Sequence, residues 1–231
     1  MKISDSKQKG DTVTLNFKTV EENPPSLFTR ELVDELEHYL GLTQGRLRPG
    51  TGVDRAHQSE KGLAIYADMP SWGVKFPLSP FVLQLLCYLE IAPGQLSGMA
   101  WCYINSFEHI FKEYKKELSD CVVNFPTVPV FLHYFDFMAD KSWLTTRRRR
   151  PLFHQITKVD RNADKFVFMP RDPDNSNVDA GWRQFIEEEW KVQIWVPGRH
   201  NLNCWEKECV YRLEQIRQGI INSYGGYNLY L

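Results

Sequence analysis

Three apolar stripes with three- and four-residue spacing, each preceded by a helix start signal, dominate the middle of the chain. Ser79-Pro80 predicts the first start, because serine caps a helix and a proline at the first helical position has no N–H to leave unpaired. Ser97 is expected to cap a second helix, and Thr127 to begin a third. The stripes, in order, are Phe81, Val82, Leu85, Leu86 and Leu89; Met99, Ala100, Tyr103, Ile104, Phe107, Ile110, Phe111 and Tyr114; and Phe131, Tyr134, Phe135 and Met138. These three helices are predicted to pack together as the main core.

The chain after Arg150 shows the two-residue period of strands. Residues 153–159 and 165–169 are expected to form two strands around a polar turn, and residues 190–196 alternate between apolar and other side chains. Asp179 is predicted to cap a short helix that contains Trp182. A last helix is predicted over residues 205–221, with one apolar side formed by Val210, Leu213, Ile216 and Ile220.

The first 61 residues have weaker signals. Residues 12–17 alternate like a short strand, and a short helix is expected from Thr29, with an apolar face of Leu32, Val33, Leu36, Tyr39 and Leu40. Residues 41–61 are rich in glycine and charge, which predicts a mobile loop. The succession of helices followed by strands predicts an α+β fold: a mainly helical central core, then a small antiparallel β section and a C-terminal helix.

Composition limits the function. The net charge of -1 over 231 residues argues against a protein that coats nucleic acid with its whole surface, so any such contact requires a local basic patch. The first ten residues are polar and unlike a secretory signal, and no apolar run approaches the roughly 18 residues of a membrane span. The five scattered cysteines favour a reduced, intracellular chain, in the nucleus or the cytoplasm.

Catalytic motifs are incomplete. No Gly-Lys-Ser or Gly-Lys-Thr ends a glycine-rich turn, as a phosphate-binding loop requires. Asp179-Ala180-Gly181 lacks the hydroxyl residue of an aspartic protease, and Tyr134-Phe135-Asp136-Phe137 has only one of the two aspartates of a reverse transcriptase turn. We therefore expect no enzymatic activity and no cofactor. A Cys–His hydrolase stays open as an alternative, since its partners meet in space rather than in sequence.

Metal binding is also not expected. His200, Cys204 and Cys209 supply at most three ligands, and their spacing differs from that of a zinc knuckle. These residues are interpreted as ordinary loop and helix positions.

The strongest charge run is Arg147-Arg148-Arg149-Arg150. Four adjacent guanidinium groups can bind phosphates through paired hydrogen bonds, or serve as a nuclear-import signal. The alternative is a solvated basic loop between the helices and the strands. Three tryptophans, Trp72, Trp143 and Trp195, are candidates for base stacking, with core or subunit contacts as the favoured interpretation.

Several segments resemble one family, the gypsy-type transposon domain of plants. They are residues 73–82, GVKFPLSPFV; the turn at residues 91–96, IAPGQL, followed by a helix with Trp101; residues 126–135, PTVPVFLHYF; and Gly181-Trp182 with residues 190–197, WKVQIWVP. The resemblance covers residues 62–197 and consists of apolar residues, proline and tryptophan. It implies an N-terminal extension over 1–61, a gag-like domain over 62–197 and a helical extension over 198–231.

The resemblance implies a retrotransposon gag-like structural or interaction protein, without catalytic residues. Self-association through aromatic surface and contact of RNA or DNA with Arg147–Arg150 are the partners it suggests. Two other functions stay open, a DNA-binding transposase-related protein and a protein–protein interaction module with no nucleic-acid role.

Overall fold

The structure, a computed structural model, describes residues 10–14, 30–49, 56, 62–119, 121, 124–140, 143–152, 156, 159, 165–170, 191, 193–196 and 201–223. In this part of the chain, five α-helices and three small antiparallel sheets form a mixed α+β fold. The predicted α+β class is therefore confirmed. The predicted strand over 153–159, the cap at Asp179 and the positions of Trp182 and Trp190 fall largely or wholly outside the described residues.

Helix α1 spans Arg30–Leu40 and buries Val33, Leu36 and Leu40, as predicted. The other two residues assigned to its apolar face are exposed, Leu32 by 45% and Tyr39 by 58%, so the buried stripe is narrower than expected. The loop that follows is held to this helix. Glu37, 1% exposed, accepts hydrogen bonds from the backbone N–H groups of Gly45, at 2.8 Å, and of Leu47. The predicted mobile loop is thus tied down over its first residues.

Helices α2, Pro80–Leu89, and α3, Gly98–Glu113, begin where the start signals place them. The Ser79 hydroxyl accepts from the Val82 N–H and the Ser97 hydroxyl from the Ala100 N–H, both at 3.2 Å. Each cap supplies one acceptor for a backbone donor that has no partner within the helix. The sequence alone was therefore sufficient to predict where these two helices begin.

The third predicted helix is shorter than expected. Helix α4 spans Val128–Tyr134, with Thr127 as its cap, and the chain then turns into strand β4, Phe135–Asp140. The extension of the helical stripe to Phe135 and Met138 was wrong. Phe135 and Phe137 are buried whereas Met138 is exposed, the alternation of a strand, which pairing with the next strand stabilises.

The seven described strands pair across the length of the chain. Strands β1, Asp11–Thr14, and β7, Gln193–Val196, form one antiparallel pair, and β4 pairs with β5, Trp143–Arg148, as a hairpin. In the third sheet, β6, Phe166–Met169, lies between β2, Arg48–Pro49, and β3, Leu63–Tyr66. Three strands therefore precede α2. The sequence predicted a short strand over residues 12–17, which overlaps β1, but it predicted neither β2 nor β3.

A buried aromatic cluster joins α2, α3, α4 and β4. Phe107 of α3 is fully buried, and its ring centroid lies 5.5 Å from Phe81 and 5.3 Å from Phe131. Phe131 continues to Phe135 at 4.7 Å and to Phe137 at 6.0 Å. Such tilted and edge-to-face ring pairs add packing energy beyond the area that they bury. The cluster fixes the hairpin β4–β5 against the helices.

Helix α5, Cys204–Ser223, confirms the helix predicted over 205–221. Leu213 is fully buried, and Val210 and Ile216 pack against the core from partly buried positions. The Tyr134 hydroxyl of α4 donates to the Val210 carbonyl at 3.4 Å, which ties this helix to α4. None of the described helices combines the length and the apolar character needed to cross a bilayer.

The turn between α2 and α3 is held by one buried amide. Gln95, fully buried, accepts from the backbone N–H of Ala92 at 3.2 Å and of Lys191 at 3.1 Å. Its side-chain N–H donates to the Lys191 carbonyl at 2.8 Å. The Gln-Leu turn quoted above therefore fastens the chain just before β7 to the helical core.

Candidate nucleic-acid interface

The arginine run lies at the end of the hairpin rather than in a loop. Arg147 and Arg148 are the last residues of β5, and Arg149 and Arg150 form the bend after it. Neighbouring residues of a strand point to opposite faces, so the Arg147 and Arg148 side chains leave β5 on different sides of the hairpin. Arg147 and Arg150 are exposed, whereas Arg148 and Arg149 are partly buried.

Arg149 has a structural role in the fold. Its guanidinium pairs with the Asp136 carboxylate of β4 and donates to the Leu132 carbonyl of α4 at 3.1 Å. The backbone N–H groups of Arg149 and Arg150 both donate to the Tyr134 carbonyl, at 2.7 and 3.1 Å. These contacts fix the end of β5 against α4, and they commit the Arg149 charge to a partner within the fold.

The other three arginines form what we call the basic rim: Arg147, Arg148 and Arg150. The Arg147 side chain is 69% exposed, and its Nε lies 3.8 Å from Asp136 Oδ2. That distance allows only a weak, solvent-screened attraction, and Asp136 is already paired with Arg149. The basic rim therefore presents positive charge on a backbone that its neighbours hold in place.

A cavity of about 250 Å³ lies beside the basic rim. Its lining consists of Met99 and Tyr103 of α3, the four β5 residues Thr145, Thr146, Arg147 and Arg148, and Ile156. Four consecutive strand residues line it, which places the cavity along the edge of β5 rather than over one face. The Ser97 hydroxyl donates to the Thr145 hydroxyl at 2.9 Å, so the helix cap and the strand are linked at the cavity.

Thr146 is the unusual residue of this lining. It is 4% exposed, and its hydroxyl has no hydrogen-bond partner among the described residues. Residues of this kind were not identified in the sequence, because an isolated threonine in a strand carries no signal. Thr146 is buried only because β5 pairs with β4 and α3 packs beside this strand.

His133 lies close behind the basic rim. Burial lowers the pKa of its imidazole below the ordinary value, the positive charge of Arg150 and Arg149 lowers this pKa further, and the Glu214 carboxylate acts in the opposite direction. The neutral ring is thus favoured near neutral pH. The protonation state of His133, near the end of α4, therefore depends on the charges of Arg149 and Arg150.

The lowered pKa predicts acid sensitivity. The unfolded chain binds a proton at His133 below its ordinary pKa of 6.5, whereas the folded chain resists this proton. The stabilising contribution is therefore complete above pH 6.5 and is lost as the pH falls through the folded-state pKa. Urea unfolding between pH 5 and 8 should show this loss, and the His133→Gln variant should lose less stability on acidification. An unchanged pH dependence would contradict this role, and His109→Gln on α3 is the exposed control.

The three tryptophans considered for base stacking have other roles. Trp72 and Trp143 are each 5% exposed, and Trp72 packs so closely on α3 that a Cβ at Gly98 would lie 2.5 Å from its ring. Trp195 is half-buried and packs edge-on against Tyr88 at 6.0 Å. Trp72 and Trp143 therefore make core contacts, which was the favoured interpretation of these residues.

The cysteines of α5 do not converge. Cys204 is exposed and Cys209 fully buried, and five helical residues separate their directions by about 140°. Burial is the largest cause that raises the pKa of the Cys209 thiol, to about 12, so it is not a thiolate at neutral pH. His200 lies outside the described residues, within which no three metal-binding side chains form a group.

No protein-family model matches the chain, and neither the curated proteins nor the solved structures contain a match. The function is therefore argued from the residues and their geometry.

Proposed function

We propose that this chain is a non-enzymatic, retroelement-derived gag-like interaction protein that binds RNA through the basic rim. The observation that carries the proposal is the exposure of Arg147 and Arg150 at the fixed end of the hairpin β4–β5. Guanidinium groups bind phosphate oxygens through paired hydrogen bonds, and they keep their charge at all physiological pH values. A small rim on a chain of net charge -1 is suited to local and salt-sensitive contact.

The Arg149–Asp136 pair supports this proposal in two ways. It neutralises a carboxylate beside the rim, which would otherwise repel phosphate. It also fixes the bend that carries Arg150, so less conformational entropy is lost when a ligand binds. An arginine that serves the fold thus makes its neighbours better placed for binding.

Structural roles of the quoted motifs support the proposed kinship. Ser79-Pro80 starts α2, Gln95 holds the next turn, and Trp101 is fully buried in α3. In the proposed arrangement, the helices of residues 62–197 form a gag-like core that precedes a small antiparallel β section and a C-terminal helix. The division at residues 61 and 197 stays a prediction, although strands and helices from all three segments share one hydrophobic core.

Self-association belongs to the same proposal. Four aromatic side chains of the described residues are more than half exposed: Tyr39 by 58%, Phe125 by 54%, Trp205 by 53% and Tyr211 by 57%. Aromatic residues are enriched at the centres of protein interfaces, so these positions are candidates for contacts between copies. Replacement of Trp205 and Tyr211 by serine is the variant with which light scattering would test this part.

The basic rim predicts a specific change in salt dependence. Replacement of Arg147, Arg148 and Arg150 by glutamine removes up to three phosphate contacts while Arg149 keeps its partners. Each contact to a single strand contributes about 0.7 to the slope of log K against log salt, so the slope should fall by about 2. Between 50 and 200 mM salt, wild type should lose roughly 20-fold more affinity than the variant. Fluorescence anisotropy with labelled single-stranded RNA measures both curves.

A matched control removes the same charge elsewhere. Lys112 is exposed in the last turn of α3, about 14 Å along the helix axis from Tyr103, and the exposed Lys115 and Lys116 follow just beyond the end of this helix. Their replacement by glutamine should leave the slope close to that of wild type. Equal slopes for wild type and the rim variant would refute the proposed site. Tighter binding of a duplex DNA than of RNA would favour the transposase-related alternative.

A further inference from the structure

We propose that two copies of this chain form a strand-exchanged dimer, in which β1 of each copy pairs with β7 of the other. The inference rests on the self-association that belongs to the proposed function, and it names the surface and the partner. Within the described residues, β1 pairs with β7 alone, with Asp11–Thr14 opposite Gln193–Val196. The pair joins the first described strand to the last one.

Strand β7 belongs to the core, whereas β1 is attached at its edge. Ile194 and Val196 of β7 are buried, with exposures of 1% and 7%. In β1 only Val13 packs against the core, from a partly buried position, and the other three residues of the strand are exposed. Backbone hydrogen bonds to β7 therefore hold β1, and the same strand from another copy makes the same bonds. Release of β1 from β7 also exposes little apolar surface.

The edge of β7 fits the strand that this chain carries. A Cβ atom at Gly10, just before β1, would lie 2.4 Å from the Val196 carbonyl oxygen and 2.6 Å from a ring carbon of Trp195. Trp195 in turn packs edge-on against Tyr88 of α2. The approach to β7 thus requires a residue without a side chain at this position. Because the chain itself supplies such a strand, the partner that fits the β7 edge is a second copy.

The length of the connection allows exchange. Fifteen residues, 15–29, separate β1 from α1. An extended stretch of this length reaches about 50 Å, well beyond the radius of gyration of about 17 Å expected for a folded chain of this size. The strand contacts are the same within one copy and between two, so concentration sets the balance. Exchange is favoured where copies are crowded together, as they are when several bind one RNA strand.

The test joins two different variants through one disulfide. Thr14 and Gln193 lie opposite each other in the β1–β7 register, and both are exposed. One protein carries Thr14→Cys and the other Gln193→Cys, and serine replaces the exposed Cys87 and Cys204 in both. The two proteins are unfolded in urea, refolded together at about 1 mM, the order of the effective concentration within one copy, and oxidised with glutathione disulfide. Residues directly opposite in a sheet are close enough for a disulfide, so strand exchange predicts a disulfide between the two different chains.

The matched control moves the cysteine along β1. Asp11 lies opposite Val196, so its Cα is about 10 Å along the strand from the position opposite Gln193. On non-reducing electrophoresis, Thr14→Cys should give about tenfold more disulfide with Gln193→Cys than Asp11→Cys gives, because a disulfide does not bridge the longer distance. Equal yields from the two mixtures would overturn the inference.

A second variant tests the role of Gly10. Gly10→Val, added to Thr14→Cys, should remove the excess of disulfide, because its side chain collides with Val196 and Trp195. Circular dichroism reports whether the helices remain folded in this variant. An excess that persists with Gly10→Val would show that the cross-link forms without docking of β1, and it would count against strand exchange.

Failure of this inference and failure of the proposed function give different results. The refolding mixtures contain no RNA, and their variants leave Arg147 and Arg150 unchanged. No excess of disulfide, while wild type binds RNA in the anisotropy titration, would overturn strand exchange and leave the proposed function intact. An excess of disulfide without RNA binding would support strand exchange, and the RNA-binding part of the proposed function would then fail.

Discussion

Replacement of Phe107 by alanine is expected to lower the free energy of unfolding by about 3–5 kcal/mol, the largest effect of any single change considered. Phe107 is fully buried in α3, and its ring contacts Phe81 of α2, Phe131 of α4 and Phe111 one turn along. Removal of the ring costs the transfer free energy of the lost atoms and leaves a cavity that the three neighbouring rings cannot fully fill. Urea denaturation followed by tryptophan fluorescence and circular dichroism measures the loss.

The control for this change is another phenylalanine. Phe125 is 54% exposed, so Phe125→Ala should alter stability by no more than about 0.5 kcal/mol. For a chain of this length, each kcal/mol shifts the melting temperature by about 2–4 °C, which predicts a fall of roughly 6–20 °C for Phe107→Ala. Similar midpoints for the two variants would show that the aromatic cluster is not the centre of the core.

Replacement of Gln95 by alanine should cost about 2–4 kcal/mol, the second largest effect. The change removes three hydrogen bonds at once and leaves the backbone N–H groups of Ala92 and Lys191 and the Lys191 carbonyl without their partner. Unsatisfied buried groups are more costly than the average hydrogen bond is stabilising, although water that enters the gap reduces the loss. The change should also loosen the chain before β7, and hydrogen exchange at the Lys191 amide should become faster.

Gln193 provides the matched control for Gln95. It lies on β7, two residues beyond Lys191, and its side chain is exposed. Gln193→Ala should therefore change stability by no more than about 0.5 kcal/mol and leave the Lys191 amide protected. If Gln95→Ala is as stable as Gln193→Ala, the hydrogen bonds of the Gln95 side chain do not contribute to the stability of the fold.

The helices were predictable because their signals are local. The caps at Ser79 and Ser97 bond to residues three positions away, and each apolar stripe repeats within a few turns. Such information is complete within one short window of sequence. The same locality explains the confirmed helix α5 and the short strand β6.

The strand pairings were not predictable for the opposite reason. Thr12 pairs with Trp195, and Ala64 with Phe168, so the partners are separated by more than a hundred residues. The boundary at Tyr134 was missed because residues 131–138 satisfy the helical period as well as the strand period. Only the presence of β5 as a partner decides between the two.

The arginine run was identified from sequence, but its division was not. Sequence cannot distinguish Arg149, whose guanidinium contacts Asp136 and the Leu132 carbonyl, from the more exposed Arg147, because the difference depends on how the bend after β5 packs against α4. Thr146 and the cavity were missed because the residues that line the cavity lie up to 57 positions apart in the sequence, from Met99 to Ile156. The sequence thus shows that the candidate site is positively charged, and only the structure shows which arginines are exposed.

Size-exclusion chromatography with light scattering is the measurement that tests the central claim most directly. The wild-type chain would be run alone and with a single-stranded RNA of known mass, at about 50 mM and about 500 mM salt. The proposal predicts a complex whose mass contains RNA at the low salt concentration and which dissociates at the high one, because counterion release drives the binding. Protein and RNA that elute separately at both salt concentrations, with unchanged masses, would contradict it.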